Sequence, residues 1–216
     1  MTALRKPRAV TKRSPELSHD AIRTAALAVI DREGLEGFST RKLGAALGCE
    51  AMAIYWYYPS KDALLDAVVD QLMIAVGAAV KPKPAWIDTL REVAHAYRRV
   101  AHDHPRAFPL LATRRFGSEG TYAFLEQLFE LAHRQGIPDR VTARFYRVVS
   151  AYCSGFALNE LAAPRGPQDP ATAALRRRFA RVDAVSAWLE PRYLDEMFRF
   201  GLELQLEALA HTTETR

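Results

Sequence analysis

The sequence predicts an all-α protein in two parts, a three-helix N-terminal domain joined by a long helix to a larger helical domain. Three observations carry this expectation. Apolar residues recur at intervals of three and four along most of the chain, the period of helices with one buried face. Glycine and proline fall between these stretches, and no run alternates polar and apolar residues as a strand would. The 216 residues are 49% hydrophobic and 25% charged, a globular balance with enough apolar side chain for a sizeable core.

The elements follow in order. Ser18 is an N-cap with Asp20 in the first turn, and Ile22, Ala25, Ala26, Val29 and Ile30 set a helix over 19–33 that stops at Gly34. Ser39 caps a short second helix, with Phe38 stapled onto Leu43, and Gly48 ends it. A third helix is expected over 50–57, closed by Pro59, whose ring disfavours helix at the preceding residue. Ser60 caps a fourth, running through Leu64, Val68 and Leu72 to about Val80, where Lys81-Pro82-Lys83-Pro84 interrupts it. Beyond this break come a helix from Pro84 to the His104-Pro105 pair, a short one over 106–112, and longer ones over 120–135 and 140–162. A loop at 164–170, a helical segment over 171–188 and a last helix over 191–210 complete the chain.

Composition excludes several classes of function. The most apolar long window, Ala63 to Val80, contains Asp66, Asp70 and Gln71, so no membrane span is expected. The start, Met1-Thr2-Ala3-Leu4-Arg5-Lys6, lacks the apolar stretch of a signal peptide. Cys49 and Cys153 are too few and too far apart for a disulfide framework or a metal-ligand pair, which makes a reducing cytoplasm the expected location. No cofactor, phosphate loop or nucleophile–base pair is expected, so catalysis has little support. His95, His102 and His104 invite a metal reading, but helix-terminal or exposed histidines beside Pro105 explain them more simply.

The positive charge is concentrated at one end. Residues 1–61 hold 10 Lys+Arg against 6 Asp+Glu, whereas residues 62–216 hold 20 against 19. Arg5, Lys6, Arg8, Lys12 and Arg13 form a basic arm of the kind that screens phosphate charge, or, taken alone, a disordered solubilising tail. Three short helices over 19–57 with a Gly48 turn fit a helix-turn-helix, whose last helix lies in a DNA major groove. That helix carries Tyr55, Trp56 and Tyr57 in succession. One helix stripe cannot bury three consecutive aromatics, so at least one must face outward, where it can pack on sugar or a thymine methyl.

The run Gly37-Phe38-Ser39-Thr40-Arg41-Lys42-Leu43-Gly44-Ala45-Ala46-Leu47-Gly48-Cys49, followed by Ile54 to Leu65, resembles the DNA-binding domain of TetR-type transcriptional regulators. The run from Phe198 to Leu209 resembles the last dimerisation helix of the tetracycline-repressor-like branch. After the basic arm, expected to be flexible over 1–17, the resemblance implies a helix-turn-helix domain over 18–66 and a ligand-binding and dimerisation domain over 67–216. It also implies that Thr40 and Arg41 contact phosphate and a base. Ala51, Met52, Ala53, Tyr55, Trp56 and Tyr57 would face the groove, and Lys61 would hold phosphate at a helix start. Positions 51–53 are Ala-Met-Ala where polar base-reading side chains often sit in the family, so contact with thymine methyls is expected there.

In the larger domain, Trp86, Tyr97, Phe108, Phe116, Tyr122, Phe129, Phe145, Tyr152 and Phe156 supply aromatics, with Arg114, Arg115 and Asn159 as polar anchors. Most of these rings are expected in the core; the resemblance implies that some line an effector pocket. The last helix spreads Met197, Phe198, Gly201, Leu202, Leu204, Gln205, Leu206 and Leu209 over more than one face. With Tyr146, Val149 and Cys153 these are expected to form a two-fold dimer seam, in which a charge at Leu202 or Leu206 would leave a folded monomer. The whole reads as a homodimeric repressor released from a palindromic operator by a small-molecule effector. The other reading is an all-helical enzyme or small-molecule carrier that binds no nucleic acid.

Overall fold

The structure, a computed structural model, describes residues 17–114, 117–163 and 169–214. Ser18 Oγ accepts from Ala21 N at 3.1 Å and opens α1 (His19–Gly37). Gly34, at φ 77°, breaks the helical path inside that span, a conformation that costs glycine nothing and other residues strain. The end expected at Gly34 is therefore a kink with one further turn beyond it. Ser39 caps α2 (Thr40–Leu47) through Lys42 N, and Gly48 closes it in the left-handed region at φ 69°. α3 (Ala51–Tyr55) is shorter than expected because the chain already turns at Trp56.

Ser60 Oγ accepts from Ala63 N at 3.0 Å and starts α4 (Lys61–Ala79). Then come α5 (Trp86–Asp103), α6 (Phe108–Thr113), α7 (Glu119–Arg134) and α8 (Asp139–Ala162). The helical segment expected over 171–188 divides at Arg178-Phe179 into α9 (Pro170–Arg177) and α10 (Ala180–Ser186), and a short turn at Pro191–Tyr193 leads into α11 (Leu194–Glu214). No strand occurs among the described residues, and none of their helices is long and apolar enough to cross a membrane.

Two cores hold these helices. The first gathers Ile22, Ile30, Phe38, Leu43 and Ile54 around the apolar face of α4, and continues through Val100, Phe108 and Leu111. The second packs Trp86, Leu90, Phe145, Val149 and Cys153 against Phe198, Leu202, Leu206 and Leu209 of α11. Arg98 pins the second core at its edge. Its guanidinium forms a two-pronged pair with Glu160 at 2.7 and 2.9 Å, reaches Asp195 at 2.8 Å, and lies 4.7 Å over the Phe198 ring. The same guanidinium holds the Glu160 carboxyl below its ordinary range. The Tyr152 hydroxyl donates to the carbonyls of Met197 and Phe198, a close approach that Gly201 permits because a Cβ there would clash with that hydroxyl.

This packing corrects the expected seam. Leu202 and Leu206 are 0% exposed and Val149 and Cys153 are buried within a single chain, because α11 must cover Trp86 and Phe145 before it can cover anything else. The apolar residues that α8 and α11 leave in solvent are Val148, Phe200 and Leu204, at 45%, 67% and 52% exposure. Leu175, Phe179, Val182, Val185, Trp188 and Leu189 on and beside α9 and α10 are exposed as well.

Candidate nucleic-acid interface and ligand cavity

The interface candidate is built on α2 and α3. A Cβ at Gly44 would stand 2.7 Å from the Cys49 carbonyl oxygen, so glycine is what lets the chain leave α2 and start α3 so abruptly. The tight turn presents several of the residues singled out above on one surface. Arg41 is exposed and has no ion-pair partner among the described residues, whereas its neighbour Lys42 pairs with Glu33 and donates to the Gly37 carbonyl at 2.9 Å. Thr40 Oγ1 and Tyr55 Oη are 3.4 Å apart, which brings the start of α2 to the end of α3. Met52 is 68% and Trp56 89% exposed among the described residues, while Ala51 and Ala53 are half-buried.

Lys61 stands at the first turn of α4, where unpaired backbone N–H groups already favour an anion. Its ammonium donates to the Phe38 carbonyl at 3.3 Å and lies 5.5 Å from the Phe38 ring, an arrangement that holds it beside α2. Tyr57 behaves differently from Trp56. Its hydroxyl donates to the Leu17 carbonyl at 2.8 Å and its ring meets His19 edge-on, so it ties down the start of α1. Tyr58, which the sequence reading passed over, does the same from a buried position by donating to the His19 carbonyl at 3.1 Å. The basic arm at Arg5, Lys6, Arg8, Lys12 and Arg13 lies outside the described residues.

A cavity of about 690 Å³ lies among α4, α5, α6, α7 and α8. Of the aromatics named from sequence, Tyr97, Tyr122 and Phe129 line it, together with Arg114. Trp86 and Phe108 do not, and pack instead in the two cores. Tyr152 is held by its bonds to α11 and stacks on Phe198 at 5.7 Å, while Asn159 is exposed on α8 away from the lining. Phe116 and Arg115 lie outside the described residues. Sequence reading missed Met73, Val76, Phe124, Tyr146, Ser150 and Ser154. A signal for three of them was present, since Tyr146, Ser150 and Ser154 recur every fourth residue and so share one face of α8.

The chemistry of this lining is that of a binding site. Tyr97 Oη and Ser154 Oγ are 2.9 Å apart, and burial pushes the Tyr97 phenol up to about 12, so it is neutral at physiological pH. Burial likewise pushes the Cys153 thiol up to about 12, which removes it as a nucleophile at neutral pH. The three histidines considered for metal have separate partners. His102 meets Glu160 at 3.2 Å, His104 meets Asp31 at 2.8 Å and His95 packs on Phe198. No group of three or more potential metal ligands converges among the described residues.

A helix-turn-helix with an exposed surface on α2 and α3, joined to a helical domain that encloses a cavity, defines a class that the comparisons with known proteins identify. Residues 22–68 match the bacterial regulatory proteins of the tetR family, and residues 80–213 match the tetracyclin repressor-like C-terminal domain. The chain belongs to the tetR family. It is 35% identical over 109 residues to an HTH-type transcriptional regulator of Saccharopolyspora erythraea, covering 50% of this chain and 46% of that one. It is 27% identical over 148 residues to the HTH-type transcriptional repressor DrrR1 of Streptomyces coeruleorubidus, covering 68% of this chain and 55% of that one. The chain thus spans about half the length of these curated relatives. Its fold matches that of ActR of Streptomyces coelicolor, solved in complex with actinorhodin, with a TM-score of 0.75 at 22% identity over 91% of this chain and 96% of that one.

Proposed function

We propose that the protein is a homodimeric, ligand-responsive DNA-binding regulator of transcription that acts as a repressor in the cytoplasm. The observation that carries this reading is the double duty of α4. One end of that helix bears Lys61 beside the groove-facing surface, and further along Met73 and Val76 form part of the cavity wall. A molecule filling the cavity pushes on the helix that aims the DNA-binding head. Ligand and DNA then favour different settings of α4, and each weakens the other's binding reciprocally. The relative DrrR1 is a repressor by name, and ActR holds actinorhodin, which supports both halves of the reading.

In this reading Thr40, Arg41, Ala51, Met52, Ala53, Tyr55, Trp56 and Lys61 meet the duplex, and Tyr57 contributes by bracing the head. Dimerisation uses Val148, Phe200 and Leu204, the apolar side chains that one chain leaves in solvent along α8 and α11.

The test is a binding titration of the purified chain against duplex DNA across a range of salt. The logarithm of affinity should fall linearly with the logarithm of salt concentration; Lys61→Ala should flatten the slope by about 1 and weaken all sequences alike, whereas Arg41→Ala should cost about 1–3 kcal/mol and relax preference at one base pair. Absence of binding even at about 50 mM salt, where phosphate contacts are much stronger than at about 200 mM, would return the chain to the helical carrier reading.

A further inference from the structure

The side chains that line the cavity carry formal charge of one sign only. Arg114 and Arg147 are its charged residues, and no Asp, Glu, Lys or His joins them among the described residues. The two arginines are not equivalent. Arg114 donates to Asp62 Oδ1 and Asp66 Oδ1 at 2.6 Å each, so its guanidinium is already satisfied by two carboxylates from α4. Arg147 has no ion-pair partner among the described residues and stands on α8 at the rim, next to Tyr146. A cation in the cavity would find no opposite charge, whereas an anion finds an unengaged guanidinium suited to grip a carboxylate with two parallel N–H groups.

The rest of the wall describes the body of the ligand. Tyr97, Phe124, Phe129 and Tyr146 present rings, with Phe129 and Tyr146 edge-to-face at 5.2 Å, and Met73 and Val76 close the α4 side. Flat aromatic surfaces in a cavity of about 690 Å³ accommodate a fused ring system. The donors beside Arg147 are limited. Ser150 donates its hydroxyl proton to the Arg147 carbonyl at 3.1 Å, so it can only accept from a ligand, while the Tyr146 phenol is kept protonated by burial and can donate.

We propose that the cavity takes a fused-ring aromatic acid, its carboxylate held at the rim by Arg147 with the Tyr146 hydroxyl as second donor, a refinement that rests on the reading of this cavity as the effector site. The ring system lies between the aromatic walls of α5, α7 and α8, and the acid distinguishes this ligand from neutral aromatics of the same shape.

The experiment is calorimetric titration of the full chain with anthraquinone-2-carboxylate, its carboxamide and the matching 2-aminomethyl compound. The acid should bind about tenfold tighter than the amide, the increment of one charge-assisted hydrogen-bonded contact, and the amine should bind weakest. Arg147→Gln should cut the preference for acid over amide to about twofold. Arg144→Gln, an exposed arginine three residues earlier on the same helix, removes the same charge and should leave the preference intact. Equal affinity of the wild type for acid and amide, or a preference that survives Arg147→Gln, overturns the acid assignment and leaves the cavity a ligand site. Failure of all three probes to bind overturns the acid assignment and the effector-site reading together.

Discussion

At the scale of single residues, the three consecutive aromatics at 55–57 have three different occupations. Trp56 is 89% exposed among the described residues, Tyr55 meets Thr40, and Tyr57 anchors the start of α1. Their substitutions should therefore separate. Trp56→Ala should leave the unfolding midpoint unchanged and weaken duplex binding. Tyr57→Phe should lower stability by about 0.5–1.5 kcal/mol, the worth of one hydrogen bond, with little change in DNA affinity. Thermal unfolding and binding titrations on both variants decide, and a Trp56→Ala protein that binds as tightly as wild type removes that ring from the interface. The sequence alone required that one ring face outward, because three neighbours cannot share a stripe. It could not say which, because α3 ends at Tyr55 and the helical phase that would have placed Trp56 is lost at the turn.

At the scale of elements, α11 has two apolar stripes that do different work. Phe198, Leu202 and Leu206 are buried in the second core, and Phe200 and Leu204 point out of it. The surplus of apolar positions was legible in the sequence. The division was not, since Leu202, Leu204 and Leu206 are the same residue and only their contacts with Trp86 and Phe145, far away in the chain, tell them apart. Leu204→Glu should give a folded, helical monomer. Leu202→Glu places an unpaired charge in the protomer core and should cost more than about 4 kcal/mol, so that the chain loses its fold rather than its partner. Sedimentation and circular dichroism distinguish the outcomes, and a Leu204→Glu protein that stays dimeric moves the seam elsewhere. The cap residues were read more easily. Ser18, Ser39 and Ser60 act where they were expected, because capping is decided within three residues of chain.

At the scale of the whole molecule, the cavity shows what a sequence conceals. Its walls come from five helices between Met73 and Ser154, so that no local pattern could assemble them, although the spacing of Tyr146, Ser150 and Ser154 announced one side. The head was legible because its turn geometry is written in a short run from Phe38 to Lys61. What joins head and cavity is α4, and in the proposed dimer the pairing of α8 and α11 with a second copy is what makes two heads act together. A two-fold dimer places its recognition helices in successive major grooves, about 34 Å or 10 base pairs apart. Selection of bound sequences from a random duplex library by the purified full chain tests this most directly. The account predicts enrichment of an inverted repeat whose half-site centres are separated by about one helical turn or a multiple of it. Enrichment of a single unrepeated site, or of none, would contradict it.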